Sequence, residues 1–242
     1  MITGDSSSNK LDGRGGDDTI NGGAGNDLII GGAGEDTLDG GAGEDDTLSY
    51  ENDTAGVTVS LAASTASGGN AAGDTIKGFE NITGGEGGDT LTGDNKANEL
   101  TGGEGVDILI GNPGRDTLTG GAGNDCFIVD ARGTMAGDYE TITDFNKVED
   151  AITACGEEAA VGDDEGETLL KFSGSRIERL TRPSVAEDPN TDGIQRVTAK
   201  YLHVATLSSN STRLTDEEIE GLDATDTTIG NSNVTCTCPT LN

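Results

Sequence analysis

Large side chains are what this chain has least of. Tryptophan is absent, aromatics make up 3% of the residues, and only four Phe and three Tyr occur among 242 residues. A thick core of bulky groups is excluded, so stability has to come partly from elsewhere. Positive charge is scarce as well: 14 Lys and Arg face 45 Asp and Glu, a formal net charge of -31. Nucleic acid and anionic membranes need a basic surface, so neither fits as a partner. Long apolar runs are also missing. Leu28-Ile29-Ile30 and Ile108-Leu109-Ile110 are far too short to span a bilayer. The opening MITGDSSSNK has neither the basic nor the apolar region of a secretory signal peptide.

Catalytic patterns are lacking too. His203 is the only histidine, which excludes an H-E-x-x-H zinc site within the chain. No G-x-S-x-G elbow and no glycine loop ending in Gly-Lys-Ser or Gly-Lys-Thr occurs. The chain therefore reads as a binding protein and not an enzyme. Cys126, Cys155, Cys236 and Cys238 are even in number and permit two disulfides, but their spacing matches no zinc pattern and assigns no pairing.

What is abundant is glycine, with 40 residues, and it recurs on a period of nine. Aligned on G-G-x-G-x-D-x-(Leu/Ile)-x, one array has copies starting at Gly13, Gly22, Gly31 and Gly40. A second starts at Gly84 and continues from Gly93, Gly102, Gly111 and Gly120. A partial copy, GDSSSNKLD, precedes the first array with Asn9 in the acidic slot; the copy at Gly93 has Asn98 there. The copy at Gly40 carries one extra residue. Asp45 keeps the register of its turn, and Asp46 that of Leu48.

Each copy divides into a six-residue turn and a three-residue strand. The glycines at the first, second and fourth positions allow positive φ and close backbone approach. The strand alternates outward, inward, outward, which turns Ile20, Ile29, Leu38, Leu48, Leu91, Leu100, Leu109, Leu118 and Phe127 inward. One such side chain buries about 1.5–3 kcal/mol. Ordering nine backbone residues costs more than that, so stacking alone is insufficient. Aspartates in every turn are the remaining resource.

The pattern resembles the RTX (repeats-in-toxin) family of calcium-binding proteins, over roughly residues 4 to 128. The resemblance implies an all-β, calcium-stabilised parallel β-roll solenoid with a β-rich C-terminal flank. In such a roll, copies n and n+2 stack, bringing together acidic slots 18 residues apart. Those pairs are Asp18 with Asp36, Asn9 with Asp27 with Asp45, Asp89 with Asp107 with Asp125, and Asn98 with Asp116. Several Ca2+ ions are expected there, with turn carbonyls from Gly13, Gly22, Gly31, Gly40, Gly84, Gly102, Gly111 and Gly120 completing the ligands. An all-oxygen, flexible cage suits calcium over magnesium. Without metal, like charges on neighbouring turns repel and the arrays are expected to be unfolded.

The organisation expected is a first array at 1–50, an inter-array strand and connector at 51–83, and a second array at 84–128. A capping flank at 129–155 follows, with Ile142 and Phe145 as lid residues, then a divergent C-terminal region at 156–242. GVTVSLA reads as a strand, TASGGNAAGD as a loop, and Ile76 and Ile82 as inward residues. Leu28 with Ile30, and Ile108 with Ile110, form outward apolar patches for the flank or a partner. In the last region TLLKF and RVTAKYLHVATL read as strands and TDEEIEGL as a helix.

The resemblance implies an extracellular protein exported by type I secretion machinery, although the ending NSNVTCTCPTLN departs from the usual signal. It also leaves room for a parent exoenzyme (protease, lipase or epimerase) whose catalytic domain is missing from this chain. A minor alternative is ice or surface adhesion by outward threonines such as Thr90/Thr92 and Thr117/Thr119. Ile108/Ile110 and Glu99/Thr101 interrupt those rows.

Overall fold

The computed structural model describes residues 1–130, 140–145, 150–155, 169–173, 176–181 and 200–207. In the first array, β1 (Ile2–Thr3), β2 (Lys10–Asp12), β3 (Thr19–Asn21), β4 (Leu28–Ile30), β5 (Thr37–Asp39) and β6 (Thr47–Ser49) follow at the period of the repeat. The connector holds β7 (Thr58–Ser60), β8 (Thr65–Ser67), a 3-10 turn at Gly69–Ala71, β9 (Thr75–Lys77) and β10 (Asn81–Thr83). The second array contributes β11 (Thr90–Thr92), β12 (Glu99–Glu104), β13 (Ile108–Ile110), β14 (Thr117–Ala122) and β15 (Cys126–Asp130). Then come β16 (Glu140–Ile142), β17 (Ala151–Cys155), β18 (Leu169–Ser173), β19 (Arg176–Thr181) and β20 (Lys200–Leu207).

Apart from the runs β7–β9 and β18–β20, each of which stays in one sheet, successive strands alternate between two ten-stranded sheets. One runs β1-β3-β5-β9-β8-β7-β11-β13-β15-β17, and the other β18-β19-β20-β16-β14-β12-β10-β6-β4-β2. Within the arrays the pairing is parallel at an offset of 18 residues, as in Leu91 beside Leu109 and Leu100 beside Leu118. The chain is an all-β parallel roll with a β-rich C-terminal flank. Both sheets run unbroken through the connector, so the two arrays share one core.

The period-two alternation produces that core directly. All nine residues expected to face inward are buried, from Ile20 to Phe127, and Ile76 and Ile82 continue the row through the connector. Phe127 meets Phe145 edge-on at 6.3 Å between ring centroids, and Ile142 is fully buried beside Leu118. Asp144 fastens this end by accepting the N–H groups of Gly120 and Gly121 at 3.0 and 2.7 Å. Ile142 and Phe145 thus pack onto the last coil of the second array, and β16 continues the sheet to β20.

Three details depart from the expectations. The stretch read as a loop contains β8, which pairs antiparallel with both β7 and β9. The outward Ile30 is buried, and it lines one cavity with Ser49, Tyr50, Asn52 and Asn70, all at or next to the connector. The first glycine of a copy does not need positive φ. Gly22 and Gly102 have none, whereas the second-position Gly23 and Gly103 stand at φ 103° and 122°. A Cβ on Gly102 would lie 2.2 Å from the Asp107 carboxylate and 2.5 Å from the Gly120 carbonyl oxygen. Space, not torsion, excludes side chains there.

The described parts of TLLKF and RVTAKYLHVATL fall on β18 and β20, as expected of strands, and the rest lies outside the described residues. The expected helix at TDEEIEGL and the chain ending NSNVTCTCPTLN lie outside the described residues. Among the described residues no helix is long and apolar enough to cross a membrane.

Candidate metal centre

The turns stack so that the acidic slots form two columns, one along each edge of the roll. In each column a carboxylate accepts the backbone N–H of the slot one coil earlier. Asp36 Oδ1 accepts from Asp18 N–H at 2.8 Å, Asp27 Oδ1 from Asn9 at 2.8 Å, and Asp116 Oδ1 from Asn98 at 2.9 Å. Asp107 Oδ1 accepts from Asp89 at 2.7 Å and Asp125 Oδ1 from Asp107 at 3.0 Å. These are the pairs expected from the spacing of 18, and one is corrected. Above Asp27 stands Asp46, whose Oδ1 accepts the Asp27 N–H at 2.8 Å. Asp45 is exposed and receives only the Asn26 amide at 3.2 Å. Strand register decides this, because the slot sits two residues before the inward Leu48.

The columns also contain residues that the repeat alignment passed over. Asp74 accepts the Asp36 N–H at 2.9 Å, Glu80 the Asp46 N–H at 3.1 Å, and Asp150 the Asp125 N–H at 3.0 Å. Each lies two residues before an aliphatic residue (Ile76, Ile82 and Ile152), the acid-x-aliphatic core of the repeat without its full set of glycines. That signal was present in the sequence.

One hydrogen bond leaves a carboxylate half satisfied. The Oδ2 atoms of Asp27, Asp36, Asp46 and Asp107 are buried and without a hydrogen-bond partner, and these residues are at most 2% exposed. An ionised oxygen held out of water without a counter-charge costs several kcal/mol, far more than a surface charge. Burial raises the carboxyl of Asp46, with Asp27, Glu80 and Asp39 adding repulsion. It pushes Asp107 up to about 7, against the lowering effect of the Asp89 N–H, with Asp125 and Asp89 raising it further.

The orphan oxygens of Asp27, Asp46 and Asp107 share their cradles with a carbonyl. A methyl built on Gly22 would meet both Asp27 Oδ2, at 2.4 Å, and the carbonyl oxygen of Gly40, at 2.2 Å. Carboxylate and carbonyl oxygens therefore converge, with no nitrogen or sulfur donor, which is the ligand set of a hard cation. Among the described residues no group of three or more His, Cys, Asp and Glu side chains converges. Each turn supplies one carboxylate, and backbone oxygen has to make up the rest.

The model of the RTX calcium-binding nonapeptide repeat (four copies) matches residues 2–29, 12–46, 83–118 and 101–131. The two arrays are RTX calcium-binding nonapeptide repeats. Among curated proteins none matches the chain in sequence. Among solved structures, the extracellular lipase LipA from Serratia marcescens aligns over 90% of this chain and 37% of its own, at 14% identity and a TM-score of 0.26. The chain thus spans 37% of the length of that lipase. RTX repeats bind calcium, and their place in the roll is structural rather than catalytic.

Proposed function

We propose that the chain is a calcium-dependent folding module, disordered when the ion is scarce and closed into the roll outside the cell. The four buried, unpartnered carboxylate oxygens of Asp27, Asp36, Asp46 and Asp107 carry this reading. Calcium bound at these oxygens would supply the missing positive charge, helped by turn carbonyls such as those of Gly40 and Gly120. Asp18, Asp116 and Asp125 belong to the same columns and are candidates by position; Asn9, Asp89 and Asn98 share the columns, but backbone N–H groups of their own copies already occupy their side-chain oxygens. The net charge of -31 is what makes a cation decisive for the whole molecule.

Extracellular calcium suits such a switch, since modules of this kind bind with dissociation constants on the order of 10⁻⁴–10⁻³ M. The disulfide at Cys126 supports an oxidising location. An alternative reading makes the module the calcium-binding and secretion part of a larger exoenzyme. Circular dichroism during a calcium titration is the test. A rise in β signal saturating by about 10 mM is expected, and an unchanged spectrum over that range overturns the reading.

A further inference from the structure

The turns of this roll exist in two states, and the second residue of the copy decides which. Where it is left-handed, its N–H does not bond to the carboxylate of its own copy. Gly23, Gly32, Gly41 and Gly103 all have φ between 98° and 122°. They belong to the copies of Asp27, Asp36, Asp46 and Asp107, each of which has a buried, unpartnered Oδ2.

In three other copies the second residue is Asp5, Gly85 or Asp94, and none of these is among the positive-φ residues. Its N–H turns inward and closes on the slot. Asp5 N–H reaches Asn9 Oδ1 at 2.8 Å, Gly85 N–H reaches Asp89 Oδ2 at 2.7 Å, and Asp94 N–H reaches Asn98 Oδ1 at 2.8 Å. Asp89 is then satisfied twice, because its Oδ1 accepts the Val57 N–H at 2.7 Å. Asn98 goes further. Its Nδ2 donates to the Glu80 carbonyl at 2.8 Å, placing a protein donor against a turn carbonyl. A fourth slot is closed by a side chain, since the buried Tyr50 hydroxyl donates to Asp74 Oδ2 at 2.9 Å.

We propose that only the turns with a left-handed second residue hold cations, and that Asn9, Asp74, Asp89 and Asn98 are metal-free slots whose oxygens the chain satisfies itself. The inference rests on the calcium reading above and deepens it by dividing the slots. Three of the four closed slots border the connector, so each column of cations is interrupted there. The arrays load as two blocks, with a joint held by hydrogen bonds between them.

Two neighbouring carboxylates in one column give the test, Asp89 in a closed turn and Asp107 in an open one. Calcium stoichiometry is measured by calorimetry on the full chain and on the D89N and D107N variants. The expected result is loss of one ion in D107N and an unchanged count in D89N. Asn9→Asp, at the half-exposed first coil where misfolding is not a concern, is the second variant. Its count is expected to equal that of the wild type, because the Asp5 N–H already closes the slot. An ion lost in D89N, or gained in N9D, overturns the division of slots while calcium binding stands. A wild-type chain that takes up no calcium overturns both readings.

Discussion

The arrays and the connector build the same coil from opposite electrostatics. In the arrays, buried carboxylates such as Asp36 and Asp107 keep one oxygen open, and the fold asks for an external cation. In the connector, Tyr50 and backbone N–H groups meet the carboxylates of Asp74 and Asp53 instead. Its lysine pairs have the same character. Lys77 reaches Asp39 at 2.8 Å, Lys10 reaches Glu51 at 3.1 Å and Lys96 reaches Glu80 at 3.4 Å, each linking connector to array. These pairs are exposed on the lysine side and worth little individually. They show a preference: where the chain supplies its own positive or donor groups, the turn consensus lapses.

Removing calcium is the sharpest way to break this comparison, and it carries the largest effect. Chelation is expected to unfold the arrays, read as loss of β signal and of hydrogen-exchange protection across residues 13–48 and 84–127. Acidity should then partly substitute for the metal. Burial raises the carboxyls of Asp46, Asp74 and Asp89, and raises Asp107 to about 7. A raised folded-state value means that folding takes up protons. Its contribution to stability is complete below the unfolded value of about 3.9 and is lost as pH rises through the folded values. Chelated protein should therefore gain β signal as pH falls from about 8 to about 4. With calcium present the sign reverses, because protons compete for the ligands, and the calcium midpoint should rise on acidification.

Glycine substitutions come next in size and separate two uses of the same residue. Gly102→Ala forces a methyl against the Asp107 carboxylate and the Gly120 carbonyl, so the calcium-loaded form should lose about 1–3 kcal/mol or more. Gly15→Ala is the control. Its Cβ would approach nothing closer than the Ala33 carbonyl oxygen at 3.6 Å, and Gly15 is not among the positive-φ glycines. Little change is expected there, and equal losses in chemical denaturation would show that crowding at the slot is not the cause.

Tyr50→Phe probes the connector on its own terms. It removes the one donor to Asp74 Oδ2 and leaves a buried acceptor unsatisfied, at a cost of about 1–3 kcal/mol. Excess calcium should not restore the loss in thermal denaturation, since no cation is assigned to that slot. Full rescue by calcium would mean that the ion and the phenol compete for one position.

Much of this architecture was legible in the chain. Period nine and period two together placed Leu38, Leu91 and Phe127 inward because a solenoid repeats one local solution in every coil. Counting 18 residues paired Asp18 with Asp36 for the same reason. Counting failed at Asp45, where an extra residue in the turn is absorbed before the strand, so the strand register of Leu48 selects Asp46. Asp74 and Glu80 were missed because their copies keep only one of the three consensus glycines, although each keeps an aliphatic residue two positions on. The Tyr50–Asp74 bond was out of reach. It joins residues 24 apart through the antiparallel excursion of β8, which no repeat encodes.

The smallest expected effect sharpens the comparison from inside the first array. Arg14 occupies the second position of its copy at φ 71°, where its neighbours Gly23 and Gly32 stand at 103° and 98°. A side chain in the left-handed region costs roughly 1–2 kcal/mol, and glycine avoids it at some expense in unfolded-state entropy. Arg14→Gly should therefore stabilise the calcium-loaded roll by about 1 kcal/mol or less. The direction is informative because Arg14 is also one of the few positive charges on an acidic molecule. If its charge mattered more than its torsion, Arg14→Gly would destabilise the fold and Arg14→Asn, which tolerates the left-handed region, would do the same. A gain with glycine, and a smaller one with asparagine, would establish that the left-handed second residue, rather than its charge, sets the state of the turn.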